Sequence, residues 1–181
     1  MCCKRLLVGV AVLVCGLWTL SPAVDIGAGA GYGSYTLSAY GFSMSTGGVS
    51  ASVNADFPGG SRVASTSASI SYWSGSFFGM TMTDITIAEA LKVSLSTQEA
   101  QVRPYFGMQV AYHFLSAEGS SGKDLGIGAF AGVAMKVAPS VRIPIQAGYD
   151  YIIESGASAG AITFRGGVLF DLSPKNEYGY Y

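Results

Sequence analysis

The only histidine in this sequence, His113, is the side chain best suited to proton transfer near neutral pH, and Ser116 follows it three positions later. A histidine near a serine can act as a general base that activates the hydroxyl as a nucleophile. A single histidine within a strand is more often structural. We therefore predict no catalytic residue here.

Metal and cofactor chemistry has little support in the sequence. The cysteines, Cys2, Cys3 and Cys15, all lie in the first fifteen residues, and no cluster has metal-ligand spacing. Residues 27–33 carry glycine at every second position, but no glycine loop precedes a helix that could hold a phosphate. The prediction is no metal and no cofactor.

Charged side chains recur on one face of segments that alternate with a period of two. Buried charges need partners, so we interpret this face as a network of internal ion pairs that fixes strand register. A path for ions or polar solutes is the alternative. The predicted network comprises Asp56, Lys92, Arg103, His113, Lys136, Arg142, Asp150, Arg165 and Asp171.

Strands must position these charges, and residues 161–172 are the segment around which the prediction is organised. One face of this segment is apolar, whereas the other carries both of its charges. The same register recurs along the chain behind a secretory signal, which predicts that the apolar faces meet lipid and the charged faces meet a lumen. The apolar face consists of Ile162, Phe164, Val168, Phe170 and Leu172, and the other of Thr163, Arg165, Gly167, Leu169 and Asp171.

The predicted fold is all-β, an eight-stranded antiparallel up-and-down transmembrane barrel. The strands are predicted near 24–34, 48–57, 63–73, 84–95, 102–114, 125–137, 141–153 and 161–172. The longer connections, near 35–47, 74–83, 115–124 and 154–160, are expected outside the cell, and the turns at 58–60, 96–101 and 139 in the periplasm. An aromatic girdle is expected near the outer rim, formed by Tyr32, Tyr72, Tyr112, Tyr149 and Tyr151.

Composition and the N-terminus agree with an exported membrane protein. Half of the 181 residues are apolar and only 12% are charged, which is unusual for a soluble enzyme. Residues 1–23 read as a signal peptide, the barrel as 24–172, and 173–181 as a short polar and aromatic tail. Without Lys4 and Arg5, the mature chain has 10 − 2 = 8 basic and 11 acidic residues, so its net charge is −3. With no basic patch, nucleic acid is not an expected partner.

Two positions break the pattern. Glu89 falls on an apolar face, so we expect either a place near the membrane edge or a bulge that shifts the register. Good helix formers around it leave a helix over residues 87–95 as the competing interpretation. Pro144 lacks an N–H, and a bulge or locally unpaired edge is expected near it.

The segment Arg103-Pro104-Tyr105-Phe106-Gly107, with the glycine-rich strand at 126–132 and the strand at 147–151, resembles the small eight-stranded outer-membrane barrels. This superfamily includes the OmpA membrane domain, OmpX, OmpW and the opacity-type surface proteins. The last strand also resembles the assembly signal of such barrels. The signal positions are Arg165, Gly167, Phe170 and Leu172.

The resemblance implies a bacterial outer-membrane protein with a structural or surface-interaction role. Its implied partners are outer-membrane lipid, the barrel-assembly machinery through the last strand, and host or extracellular ligands at the loops. A narrow OmpW-like, porin-like channel for small, apolar molecules is the alternative. Some small barrels resemble lipases that modify lipid A with a His and a Ser two residues apart, whereas His113 and Ser116 are three apart.

Steric reasoning separates the plugged barrel from the channel. Gly27, Gly29, Gly31 and Gly33 leave one wall of the lumen without side chains. Glycine there either permits the tight bends of a small barrel or leaves space for a ligand or for water. Gly126, Gly128 and Gly132 thin another wall. On inward positions, however, the aromatic rings Trp73, Tyr105 and Phe130 fill more space than glycines vacate. An eight-stranded interior is only wide enough for side chains, so a largely plugged lumen is predicted.

Signal cleavage is predicted after Ala23, because small residues stand one and three positions before that bond. Mass spectrometry of the mature protein is expected to give Val24 as the first residue. Cys15 makes lipoprotein processing the competing route, and a diacylated Cys15 at the mature N-terminus would overturn the assignment.

Overall fold

The computed structural model describes residues 24–39, 42–58, 63–77, 79–97, 99–118, 120–153 and 158–172. The predicted signal peptide at 1–23 and the tail at 173–181 lie outside the described residues. The strands are β1 (Asp25–Ala39), β2 (Phe42–Pro58), β3 (Ala64–Phe77), β4 (Met80–Ser94), β5 (Val102–Ala117), β6 (Ser120–Ala138), β7 (Val141–Ile153) and β8 (Ser158–Asp171).

Each strand pairs antiparallel with the next, and β8 pairs with β1, so the sheet is a closed eight-stranded barrel. The closing ladder runs from Asp25 opposite Asp171 to Ser38 opposite Ser158. This confirms the predicted fold class, and the helix that competed over residues 87–95 is wrong. Across the described ranges, no helix has the length and apolar character needed to cross a membrane.

Large apolar side chains cover the outside of the barrel rather than its inside. On outward positions, Val49 is 68% exposed and Met108 is 73% exposed, whereas the inward Trp73 is 3% exposed. The five tyrosines of the expected girdle also point outward and are exposed: Tyr32, Tyr72, Tyr112, Tyr149 and Tyr151. The exterior therefore carries the apolar band that transmembrane barrels present to lipid.

The ends of the strands differ from the prediction. Strands that were expected to end near residues 34, 73, 114 and 153 mostly continue, leaving connections of only 40–41, 78–79, 118–119 and 154–157. We call this end of the barrel the hairpin end, and the end where β1 begins and β8 finishes the terminal end. The hydropathy pattern missed the extensions because their outward residues, such as Thr36 and Thr83, are polar while the backbone pairing continues.

The hairpin end projects beyond the apolar band, and the terminal end does not. Most outward positions past the band at the hairpin end are serine or threonine, including Ser34, Ser74 and Ser116. Cross-strand hydroxyl pairs also link β1 and β2 there, with Thr36 Oγ1 2.7 Å from Ser45 Oγ. At the terminal end, exposed apolar residues such as Leu95 and Leu172 lie directly after the last residues of β4 and β8.

Glu89 contradicts both expectations about it. Its pairing with Ala68 on β3 and Val110 on β5 belongs to uninterrupted ladders, so no bulge shifts the register. Glu89 also lies in the middle of the band rather than at its edge, between the outward Ile87 and Leu91. The carboxyl group is held there by the register of its neighbours, at a cost in free energy.

Pro144 interrupts the β7–β8 ladder. Pairing passes from Arg142 opposite Leu169 directly to Ile145 opposite Gly166, without a change in register. The missing N–H of proline explains the interruption. On the other side of β7, the register with β6 shifts between Lys136 and Ala138. The seam between β7 and β8 is therefore locally open in its hydrogen bonding.

Replacement of the mid-band acid should stabilise the barrel. Glu89→Leu is expected to raise the free energy of unfolding by about 1–2 kcal/mol, because a carboxyl group on the lipid face is replaced by an apolar side chain. Urea unfolding in lipid vesicles measures the change. Glu99→Leu, in the exposed β4–β5 turn, is the control and should change stability by less than about 0.5 kcal/mol. Destabilisation by Glu89→Leu would show that the carboxyl has a favourable role.

Candidate functional site

The barrel interior near the hairpin end contains a buried hydrogen-bonded group centred on Asp84. Three side chains converge on Asp84 Oδ2: the hydroxyl of Tyr35, the hydroxyl of Thr86 at 2.8 Å, and His113 Nδ1 at 2.8 Å. Asp84 is 0% and His113 1% exposed, so water cannot replace these partners. We call Tyr35, Trp73, Asp84, Thr86 and His113 the hairpin-end cluster.

Trp73 completes this cluster. Its ring centroid lies 4.5 Å from that of Tyr35 at an interplanar angle of 48°, and its Nε1 donates to the carbonyl oxygen of Gly33 at 3.1 Å. Met82 and Ile152 pack in the same buried group. Side chains from opposite walls of the barrel therefore meet at this level.

Inward glycines create the space for these rings. A Cβ on Gly75 would lie 2.5 Å from the Trp73 ring, and one on Gly48 would lie 2.7 Å from it. Deeper in the barrel, a Cβ on Gly107 would lie 2.4 Å from Phe130 Cζ. At Gly48 and Gly107 the missing side chain accommodates an aromatic ring from a neighbouring strand, and at Gly75 a ring from its own strand. Of the glycines in the predicted bare walls, Gly33 borders the Trp73 ring in the same way.

The interior toward the terminal end is polar and contains a cavity of about 120 Å³. Lys92 forms an ion pair with Asp56, and its Nζ lies 5.3 Å from the centroid of the Tyr105 ring. Tyr105 donates a hydrogen bond to Gln146 Oε1 at 3.3 Å. We call this the terminal-end cavity; its charged lining consists of Asp25, Asp56, Lys92, Arg103, Arg142 and Arg165.

All nine residues of the predicted network lie on inward positions, and several of them form local contacts. Lys92 pairs with Asp56, while Asp150 Oδ1 accepts a hydrogen bond from Gln109 at 2.6 Å. Arg165 departs from the ion-pair expectation: no carboxylate lies within ion-pair distance of it in the described ranges. The inward set comprises Asp56, Lys92, Arg103, His113, Lys136, Arg142, Asp150, Arg165 and Asp171.

Two buried acids were missed by the sequence analysis. Asp25 stands opposite both Asp56 and Asp171 across the β1 ladders, and Asp84 anchors the hairpin-end cluster. Both lie at the first residues of the predicted strands, to which no inward or outward face was assigned. Extending the alternation by one more period, two residues back from Gly27 or Thr86, would have placed each acid inside.

The histidine and serine considered for catalysis lie on opposite faces of β5. His113 is inward and buried, whereas Ser116 is outward and exposed. The hydroxyl that does reach the imidazole, Thr86 Oγ1, is 3.3 Å from Nδ1 and also donates to Asp84. His113 Nε2 is the nitrogen that would accept a proton from a nucleophilic hydroxyl. It has no hydrogen-bond partner among the described residues, so no such hydroxyl is in place. This geometry lacks a catalytic triad.

No group of three or more metal-ligating side chains occurs in the described portion of the chain.

The proposed assembly-signal residues divide between the two faces of the last strand. Phe170 and Leu172 point outward, while Arg165 and Gly167 point inward. Leu172 also donates its backbone N–H to the carbonyl oxygen of Val24 at 3.0 Å, which extends the closing contact past Asp171.

The sequence matches no protein-family model and no curated protein. Among solved structures, the fold is similar to Neisserial surface protein A, with a TM-score of 0.67 and 19% identity over 81% of this chain and 96% of that one. A major outer membrane protein from Thermus thermophilus gives a TM-score of 0.54 and 13% identity over 83% and 100% of the two chains.

Ail, the attachment invasion locus protein of Yersinia pestis, gives a TM-score of 0.50 and 13% identity over 81% of this chain and 98% of Ail. Likeness at these identities shows the fold alone. The chain thus has the fold of the small eight-stranded outer-membrane barrels, and the predicted resemblance is confirmed at that level.

Removing the shared acceptor of the hairpin-end cluster should strongly destabilise the barrel. Asp84→Ala leaves Tyr35, Thr86 and His113 without their common partner, and a loss of about 3 kcal/mol or more is expected. Urea unfolding followed by tryptophan fluorescence measures it, because Trp73 packs on Tyr35. Glu118→Ala, an exposed acid near the hairpin tip, is the matched control and should have little effect. Equal stability of the two variants would contradict the role given to Asp84.

Proposed function

We propose that this protein is an integral barrel of the bacterial outer membrane, with a structural or surface-interaction role and a lumen blocked near its hairpin end. The exposed apolar band supports the location, because a soluble protein rarely leaves so large an apolar surface in water. The fold shared with outer-membrane proteins supports it independently. The proposed partners of the barrel are outer-membrane lipid and the barrel-assembly machinery. In this proposal the machinery recognises β8 and inserts the barrel into the membrane.

We propose that the hairpin end faces the outside of the cell. Outer-membrane barrels have short periplasmic turns and extend further on the extracellular side. Here the polar strand extensions project only at the hairpin end, although the connecting loops themselves are short. The surface available to host or extracellular ligands would be paired hairpins of β1–β2, β3–β4 and β5–β6. Rigid hairpins lose little conformational entropy on binding.

The hairpin-end cluster is the observation that carries the proposed block. Its buried side chains come from β1, β3, β4 and β5, and Ile152 of β7 and Ala159 of β8 pack against them. Tyr35, Trp73, Asp84, His113 and Ile152 are each at most 3% exposed. Because Asp84 accepts hydrogen bonds from Tyr35 and Thr86, opening a path would break a buried network as well as displace two rings.

The wild-type barrel is expected to show no stable single-channel current in a planar lipid bilayer. The double variant Tyr35→Ala/Trp73→Ala should show current, because it removes the two aromatic rings from the hairpin-end cluster. The matched control is Tyr32→Ala/Tyr72→Ala, which removes two rings from the same strands, β1 and β3, on their outer faces. The control should stay silent.

Stable currents in the wild type would reject the blocked lumen and favour a narrow channel. Currents of equal size in both double variants would show that the conductance arises from general loosening of the barrel. Cold and heated gel mobility of each preparation establishes that the barrel is folded before the recording.

A further inference from the structure

Arg165 stands out among the inward charges. It lies midway along β8, opposite Gly31 of β1 and Gln146 of β7, neither of which carries a charge. In the described ranges its Nε is buried without a hydrogen-bond partner, and no carboxylate forms an ion pair with the guanidinium. A guanidinium inside a narrow barrel is costly without a counterion.

The wall around Arg165 leaves room for a ligand. Gly29 and Gly167 line the terminal-end cavity beside it, and neither brings a side chain into the space. A Cβ added to Gly29 would be nearest to the Gly166 backbone and to Ser52 Oγ, not to an aromatic ring. Gly29 differs in this from the glycines near Trp73 and Phe130. Serine hydroxyls of β2 and β3, with the Gln146 amide, supply hydrogen-bond donors around the same cavity.

Charge in the cavity favours an anion. Lys92, Arg103, Arg142 and Arg165 line it, against the two carboxylates Asp25 and Asp56. Asp171 stands beside Asp25, and with it included the balance is 4 − 3 = +1. Since Lys92 already pairs with Asp56, the surplus positive charge lies on the arginine side of the lumen, where Arg165 is.

We propose that the terminal-end cavity is a binding site for a small oxyanion, a phosphate or carboxylate group, with Arg165 as its main charged contact. A water molecule needs roughly 10–15 Å³ of such space, so the cavity of about 120 Å³ accommodates one such group with some of its water. Guanidinium binds phosphate and carboxylate through two parallel hydrogen bonds, and Nε is one of its donors.

The oxyanion could come from solution or from the headgroup of a single-chain amphiphile. Gln146, Arg165 and Gly166 line both the terminal-end cavity and an apolar groove of about 520 Å³ on the outer surface of β6 to β8. The strands are paired at Gln146 and Arg165 themselves, so the nearest gap in the wall is the unpaired stretch at Ile143 and Pro144. A headgroup at Arg165 would have to join a chain in the outer groove through that gap, whereas a free anion would enter by the terminal end.

The test titrates the refolded barrel in dodecyl maltoside micelles, which contain no phosphate, with inorganic phosphate and separately with monododecyl phosphate. Nuclear magnetic resonance follows the Arg165 Nε–H and the backbone amide of Gly167, which lines the cavity. Saturable shifts of both signals are expected. Saturation by inorganic phosphate identifies a soluble ligand, and saturation by monododecyl phosphate alone identifies an amphiphile headgroup.

Arg165→Gln should weaken binding, read at Gly167, by about tenfold or more, because it removes a charge-assisted contact. Arg165→Lys should recover part of the affinity. Lys136→Gln removes an inward cation that does not line the cavity and should stay within about twofold of wild type. No saturable shift in the wild type with either probe would overturn the proposal. So would an unchanged affinity in Arg165→Gln. The wild-type titration decides by itself if the glutamine variant does not fold.

Discussion

A strand in hydrocarbon has no water with which to satisfy its N–H and C=O groups, so an open sheet edge in a membrane would leave a row of unpaired polar groups. Pairing of β8 with β1 removes both edges of this sheet. Closure fixes eight strands around a narrow axis, and every inward side chain must then fit against those of the opposite wall. The exterior apolar band, the inward charges and the alternation of faces all depend on this closure.

The narrow interior is filled by matching large side chains with inward glycines on the same strand or a neighbouring one. Trp73 occupies the space left by Gly48 and Gly75, and Phe130 that left by Gly107. Such pairs let one wall reach across the axis without forcing strands apart. The glycines are therefore part of the packing of the interior, although each would weaken an isolated strand.

The lumen has two parts that differ in their polar groups and in their packing. Near the hairpin end, one buried carboxylate accepts hydrogen bonds from tyrosine, threonine and histidine, which rigidifies the aromatic packing. Toward the terminal end, lysine and arginine side chains outnumber the carboxylates around a cavity. The first part is suited to blocking the barrel, whereas the second leaves a cation with space in front of it. A shared barrel thus carries a structural element and a candidate binding site at different depths.

The sequence by itself determined which residues face lipid and which face the lumen, because the two-residue period is a property of a single strand. Residues 161–172 and the serine-rich β3 showed it from local pattern alone. The tertiary structure decided which inward groups meet. Asp84 and His113 are 29 positions apart, and their contact requires the β4–β5 register. Likewise, only the register of β8 against β1 and β7 shows that Arg165 faces glycine and glutamine instead of an acid. The polar strand extensions also escaped the sequence, since backbone pairing continues where hydropathy stops alternating.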